Sequence, residues 1–205
     1  MSVELVIFDL DGVLVDACEW HRVALNEALK EVCNYEISLE DHYNKYNGLP
    51  TKVKLAALTE INILSEDEHI DVYDLKQEKT KEIIESNAKI RQEKIDLLEW
   101  LVQDKNLKVA CFTNSIRETA YMMLDKTGIL NYFDMVLTNQ DVEKPKPDPE
   151  GYIKTLKELD ISNKNTIIVE DSPKGLQAAK ESGCHVISVK NADEVTIELF
   201  KEVLK

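Results

Sequence analysis

Five short apolar runs rich in Val, Ile and Phe punctuate this chain: Leu5 to Phe8, Lys108 to Phe112, Met135 to Leu137, Thr166 to Val169 and His185 to Val189. Each is closed by polar or turn residues, the pattern of strands buried on both faces. From the second run onward, helical patterns alternate with them at Ile116 to Lys126, Glu150 to Leu159, Pro173 to Ser182 and Val195 to Leu204. Such alternation predicts an α/β fold built on a parallel sheet.

One interval breaks the rhythm. About a hundred residues separate the first run from the second, where a crossover needs only about a dozen. The interval reads as helices at Cys18 to Val32, Leu39 to Tyr46 and Thr51 to Glu60, then a long charged stretch from Asp67 to Lys94. Residues Ile95 to Gln103 supply the crossover helix. The division predicted is an α/β core of residues 1–16 and 94–205 with an all-helical insert at 17–93. The Asp67 to Lys94 run is expected to be a solvated face, and Trp20 and Trp100 are expected to pack.

The chain has 205 residues and a formal charge of −14, which argues against nucleic-acid or anionic-membrane surfaces, since both demand clustered Lys and Arg. No apolar run approaches the roughly eighteen residues of a membrane span, and the N-terminus lacks a basic leader pattern. Cys18, Cys33, Cys111 and Cys184 are far apart, so free thiols are expected. A cytoplasmic monomer acting on a small molecule is the resulting expectation.

In open α/β sheets ligands bind beyond the carboxyl ends of the strands. There the first run ends in Asp9-Leu10-Asp11-Gly12, and the fourth ends in Glu170-Asp171. Acids at strand-to-helix turns commonly cap helices, but four converging carboxylates repel unless a hard cation sits among them. Mg²⁺ is the expected ion. Thr113-Asn114-Ser115 follows the second run, where a hydroxyl and helix-start N–H groups suit a phosphate, or simply cap the helix. The segment Glu143 to Pro149 carries three prolines that stiffen a loop around Lys144.

Phe8-Asp9-Leu10-Asp11-Gly12-Val13-Leu14-Val15-Asp16, then Thr113-Asn114, Lys144-Pro145-x-Pro147-Asp148 and Val169-Glu170-Asp171-Ser172-x-x-Gly175 resemble the four motifs of the haloacid dehalogenase superfamily, in order. The resemblance spans Phe8 to Gly175 and implies a Rossmann-like core with a C1-type helical cap. It implies that Asp9 is the nucleophile and a Mg²⁺ ligand. Asp11 would be the general acid and then base, ligating through its backbone carbonyl. Asp171 would be a carboxylate ligand, and Glu170 would bind directly or through water. Thr113 and the Asn114 backbone would hold phosphoryl oxygens. Lys144 would stabilise Asp9 and the phosphoryl group, with Lys146 the disfavoured rival. A carboxylate attacking a phosphate dianion meets repulsion that a metal and a lysine offset.

Dehalogenases and phosphonatases of the superfamily lack an acid at the position of Asp11, so the resemblance favours phosphate-ester chemistry. The first motif with Glu19, Trp20 and His21 is similar to the β-phosphoglucomutase branch. That branch uses an arginine shortly after the cap glycine, where this chain has Thr51, and a hinge threonine where it has Ala17. Hydrolysis of a small phosphomonoester, such as a sugar phosphate, is therefore favoured over a mutase, and both over an inactive binding module. His21 either orients Asp11, meets substrate or is structural. Of Lys52 and Lys54, two residues apart on one helix, only one can face the substrate; Lys52 is expected to be that one.

Overall fold

The computed structural model describes residues 2–204, leaving Met1 and Lys205 outside. Five parallel strands, β1 (Leu5–Phe8), β2 (Lys108–Phe112), β3 (Met135–Leu137), β4 (Thr166–Glu170) and β5 (His185–Ser188), form one sheet of order β3-β2-β1-β4-β5. Alternate residues feed opposite faces. Val6, Phe8, Val109, Cys111, Ile167 and Val169 pack in one buried cluster, and Leu5, Ile7, Ala110, Phe112 and Ile168 in the other. Burial on both faces is why the central strands β1, β2 and β4 read as apolar runs.

The register sets the site. Phe8 pairs with Cys111 on one side and Val169 on the other, so Asp9, Phe112 and Glu170 come next in line at the carboxyl edge. The chain order reverses between β1 and β4, the position where such sheets open a crevice.

Between β1 and β2 run α1 (Cys18–Cys33), a short α2 (Leu39–Asp41), α3 (Thr51–Glu60), α4 (His69–Asn87) and α5 (Gln92–Glu99). Leu25, Leu29, Ile37, Leu55, Leu58 and Val72 give the inserted helices their own apolar cluster. Three details differ from the expectation. The helix expected over Leu39 to Tyr46 is one α turn followed by a π turn at His42–Tyr46. The charged stretch stops at Asn87, and the crossover helix starts at Gln92, not Ile95. Nor is that stretch wholly solvated, because Lys76, Gln77, Thr80 and Ile84 are buried.

Beyond β2 come α6 (Arg117–Lys126), α7 (Glu150–Leu159), α8 (Pro173–Glu181) and α9 (Ile197–Val203). Ser172 caps α8 by accepting from the Gly175 N–H, and Pro173 opens its first turn. Trp20 and Trp100 pack against the core, and the four cysteines are free thiols. Among the described residues no helix is long and apolar enough to cross a membrane.

Candidate active site

A cavity of about 530 Å³ lies between the inserted helices and the carboxyl edge of the sheet, and Asp9, Asp11, Thr113, Asn114, Lys146 and Asp171 line it. Asp9 leaves β1 into a tight turn in which Val13, Leu14 and Val15 all donate to the Leu10 carbonyl. Gly12 sits there at φ +86°, and a β-carbon on it would run into the Asp171 carboxylate. Glycine thus serves both the left-handed turn and the close approach.

The buried lysine that meets the acids is Lys146, not Lys144. Its Nζ lies 2.8 Å from Asp9 Oδ1, 2.6 Å from Glu170 Oε1 and 2.7 Å from the Phe112 carbonyl. The rings of Phe112 and Tyr152 flank it at 4.9 and 5.2 Å. Burial opposes its charge, but Asp9 and Glu170 outweigh burial and hold its pKa above the ordinary lysine range. Asn114 grips the Lys146 backbone from both sides, accepting its N–H at 3.0 Å and donating to its carbonyl at 3.1 Å. Lys144 is exposed, on an outer turn where its N–H and that of Glu143 bond the Glu150 carboxylate. The pattern in the sequence does not separate them: Lys146-Pro147-Asp148-Pro149 repeats the K-P-x-P of Lys144-Pro145-Lys146-Pro147 two residues on, so both lysines fit it.

Asp11 is held by three side chains. His21 Nε2 lies 2.9 Å from Oδ1, while Thr113 Oγ1 and Ser115 Oγ donate to Oδ2 at 3.1 and 2.8 Å. Burial works to raise the Asp11 carboxyl, but His21 and these hydrogen bonds prevail and bring it to about 2. Lys76 Nζ approaches His21 Nδ1 at 3.2 Å, and burial with Lys76 pushes the imidazole pKa down. A neutral His21 donating from Nε2 and accepting at Nδ1 fits both contacts. Ser115 belongs to the expected Thr113-Asn114-Ser115 segment but bonds Asp11; Lys76 is not among the expected site residues, because the charged run around it disguises it as surface.

Lys52 and Lys54 reverse the expectation. The buried stripe of α3 is Lys54, Leu55 and Leu58, so Lys52, about 200° around from Lys54, is exposed at the cavity rim. Asn114 Nδ2 also donates to the Gly48 carbonyl at 2.8 Å, and ion pairs Lys81–Glu118 and Lys126–Glu85 join α4 to α6. The inserted helices are closed down over the sheet edge.

The acids have more negative charge than Lys146 balances. Burial, with Glu170 next, pushes Asp9 well above the usual carboxylate range; burial, Glu170 and Asp11 push Asp171 to about 7. Asp171 Oδ1 is buried without a partner. Oxygens of Asp9, Glu170 and Asp171 gather within 4.8 Å of one another. An all-oxygen donor set with an orphaned carboxylate oxygen fits a hard divalent cation. Glu170 stands behind the others, its Oε1 also accepting from Tyr152 OH at 2.7 Å and its Oε2 from the Asp171 N–H at 3.1 Å. A β-carbon on Gly175 would overlap its carboxylate.

Residues 6–189 match the family of haloacid dehalogenase-like hydrolases. This chain belongs to that family. Among its hydrolase relatives, a phosphorylated carbohydrates phosphatase of Thermotoga maritima is 30% identical over 186 residues, 88% of this chain and 82% of that one. A phosphoglycolate phosphatase of Aquifex aeolicus is 25% identical over 183 residues, again 88% and 82% of the two chains. The solved β-phosphoglucomutase of Clostridium difficile shares the fold with a TM-score of 0.81 at 22% identity, covering 98% of this haloacid dehalogenase-like chain and 96% of its own.

Proposed function

We propose that this hydrolase is a Mg²⁺-dependent phosphatase that cleaves a small phosphomonoester through an aspartyl phosphate on Asp9. The observation that carries the reading is the pairing of two carboxylates two residues apart in opposite environments. Asp9 is held by Lys146 Nζ at 2.8 Å, and Asp11 by the neutral donors His21, Thr113 and Ser115. Lys146 favours the ionised, attacking form of Asp9 against the burial that raises it, and Asp11, ionised in the free cleft by its three donors, suits the group that takes up and passes on a proton. The names of the phosphatase relatives support the same class.

Asp9, the Asp11 carbonyl and Asp171 would hold Mg²⁺, with Glu170 behind them. Bound there, the ion would polarise the phosphoryl group and offset its repulsion from the acids. Lys146 orients the Asp9 carboxylate and places a fixed positive charge beside the attacked group. Asp9 Oδ bonds to phosphorus as the ester P–O bond breaks, and Asp11 gives its proton to the departing oxygen. Water then attacks phosphorus as Asp11 takes its proton, the Asp9 Oδ–phosphorus bond breaks to return the carboxylate, and inorganic phosphate leaves. Asp11 is ionised in the free cleft, and the arriving phosphate dianion raises its proton affinity.

Lys54 and Lys76, buried on the cap side, are the feature of the cavity that favours a mutase, which must seat a second phosphate. The product decides. Incubating purified protein and Mg²⁺ with a panel of sugar phosphates and smaller phosphomonoesters should release inorganic phosphate, with loss of turnover in excess chelator and in Asp9→Asn. An isomerised sugar phosphate without phosphate release would establish the mutase. Turnover by Asp9→Asn would remove Asp9 as nucleophile.

A further inference from the structure

Behind the acids stands a hydroxyl that the chemistry above does not use. Tyr152 is fully buried. Its ring flanks the Lys146 ammonium and stands edge-on to Phe112, with the centroids 5.1 Å apart, and its OH donates to Glu170 Oε1 at 2.7 Å. Tyr152 is not among the cavity-lining residues, so it acts on a substrate only through a neighbour. Its seat is shaped by close packing. Gly151, in the first turn of α7, is a poor helix former, but a β-carbon there would meet the Phe112 ring at 2.1 Å. Glycine lets α7 press onto the end of β2, and that approach brings Tyr152 to Glu170.

A buried hydroxyl needs an acceptor in any protein, and counting hydrogens at Lys146 shows what else this one does. An ammonium has three hydrogens. Here all are taken, by Asp9 Oδ1, the Phe112 carbonyl and Glu170 Oε1. Lys146 lines the cavity, yet to donate to a phosphoryl oxygen it must release one of these acceptors. Among the described residues, Asp9 and the Phe112 carbonyl have no other side-chain donor. Glu170 does. Its Oε1 keeps the Tyr152 OH, and its Oε2 accepts from the Asp171 N–H at 3.1 Å. Leaving a buried acceptor unpaired is costly, so the acceptor that can be given up is the one with a donor in reserve.

We propose that Tyr152 is a positioning residue, whose hydroxyl holds Glu170 while Lys146 exchanges its Glu170 hydrogen bond for one to an oxygen of the bound phosphoryl group. The ammonium stays beside Asp9, and only one of its three hydrogens changes partner. This inference rests on the phosphatase reading, which puts a phosphoryl group within reach of Lys146.

The test compares wild type with Tyr152→Phe, which keeps the ring against Lys146 and Phe112 and removes only the donor; circular dichroism and thermal melting establish that it folds. Calorimetric titration with inorganic phosphate at saturating Mg²⁺ should show binding weakened about tenfold, the lower end of what a hydrogen bond to a charged group contributes. The kcat/KM for a phosphomonoester from the panel should fall by a similar factor. Mg²⁺ affinity without phosphate, read from the melting temperature across a Mg²⁺ titration, should be no weaker than in wild type, because Glu170 has lost a donor and kept its charge. In a Glu170→Gln background the hold on Lys146 is already weakened, so adding Tyr152→Phe should change phosphate binding by less than about twofold.

Parallel losses of Mg²⁺ and phosphate affinity in Tyr152→Phe would make the tyrosine a structural prop and overturn the exchange. Unchanged phosphate binding and unchanged kcat/KM would overturn it too, as would full additivity with Glu170→Gln, and all three results leave the phosphatase intact. Wild-type protein that binds no phosphate and releases none from any of the panel overturns both.

Discussion

Lys146 and Asp9, 137 residues apart in sequence, meet at 2.8 Å beneath the sheet edge, while Lys144 two residues earlier is exposed. The contact joins β1 to the proline-bound loop after β3 and makes Asp9 part of a buried triad with Glu170. Because Lys146 is the cation against both acids, its removal exposes each to the other's charge.

Replacing Lys146 by Met should lower kcat for phosphate release by about 10²–10³-fold, the usual consequence of deleting a preorganised electrostatic partner. Lys144→Ala should change kcat by less than about threefold, since exposed substitutions away from a site have small effects. Steady-state kinetics on both variants, with circular dichroism to establish folding, checks the pair. Equal losses would return Lys144 to the site.

Asp11→Asn should slow ester cleavage by about 10²–10⁴-fold. Since its role is to protonate the departing oxygen, the loss of phosphoenzyme formation should shrink for an aryl phosphate with an acidic phenol. Rapid-quench measurement with good and poor leaving groups gives the comparison, and identical losses would assign the proton elsewhere.

Gly175 leaves room for the Glu170 carboxylate. Gly175→Ala should therefore destabilise the fold by about 1–3 kcal/mol, as overpacking of a filled site does, and should also displace Lys146. Urea unfolding reads the first effect and kcat the second.

Metal removal has a signature independent of turnover. A ligand that binds only the folded state at a hundred times its Kd stabilises by about 2.7 kcal/mol, and for a chain of this size that raises the melting temperature by roughly 5 °C or more. Adding Mg²⁺ to chelator-treated protein should produce such a rise, and Asp171→Asn should abolish it. A melting temperature indifferent to Mg²⁺ in the wild type would contradict the site.

Lys94 gives a pH dependence away from the acids. Its Nζ donates to the carbonyls of Ala192 and Val195, the latter at 2.6 Å, tying α5 to the C-terminal segment. Burial, with Arg91 nearby, pushes it down to about 8 from an ordinary 10.5. Between those values the unfolded chain holds a proton that the folded chain has released, so stability rises with pH across the window. Relative to Lys94→Met, the wild type should gain on the order of 1–3 kcal/mol from pH 7.5 toward pH 10. Urea titrations at both pH values measure this, and a difference that stays constant or shrinks would rule it out.

The sequence alone determined the sheet. The five apolar runs fall on β1 to β5: the central β1, β2 and β4 are buried and need continuous apolar residues, a local property that survives in one dimension, while the edge strands β3 and β5 are only partly buried. It also located the acids, since Asp9 and Glu170-Asp171 directly end two of those runs. It could not choose between lysines. Lys144 and Lys146 both begin a K-P-x-P pattern, and the choice lies in which one the Asn114 side chain and the rings of Phe112 and Tyr152 enclose. In α3 the helical period says only that Lys52 and Lys54 face apart; which one turns inward depends on the rotation of the helix against α1 and α4, fixed by Leu55 and Leu58 entering the cap core. Lys76 was hidden for a related reason: a charged run looks solvated until a second layer is laid on one of its faces. Side-chain direction and burial are set by contacts between segments far apart in the chain, and those contacts exist only once the chain has folded.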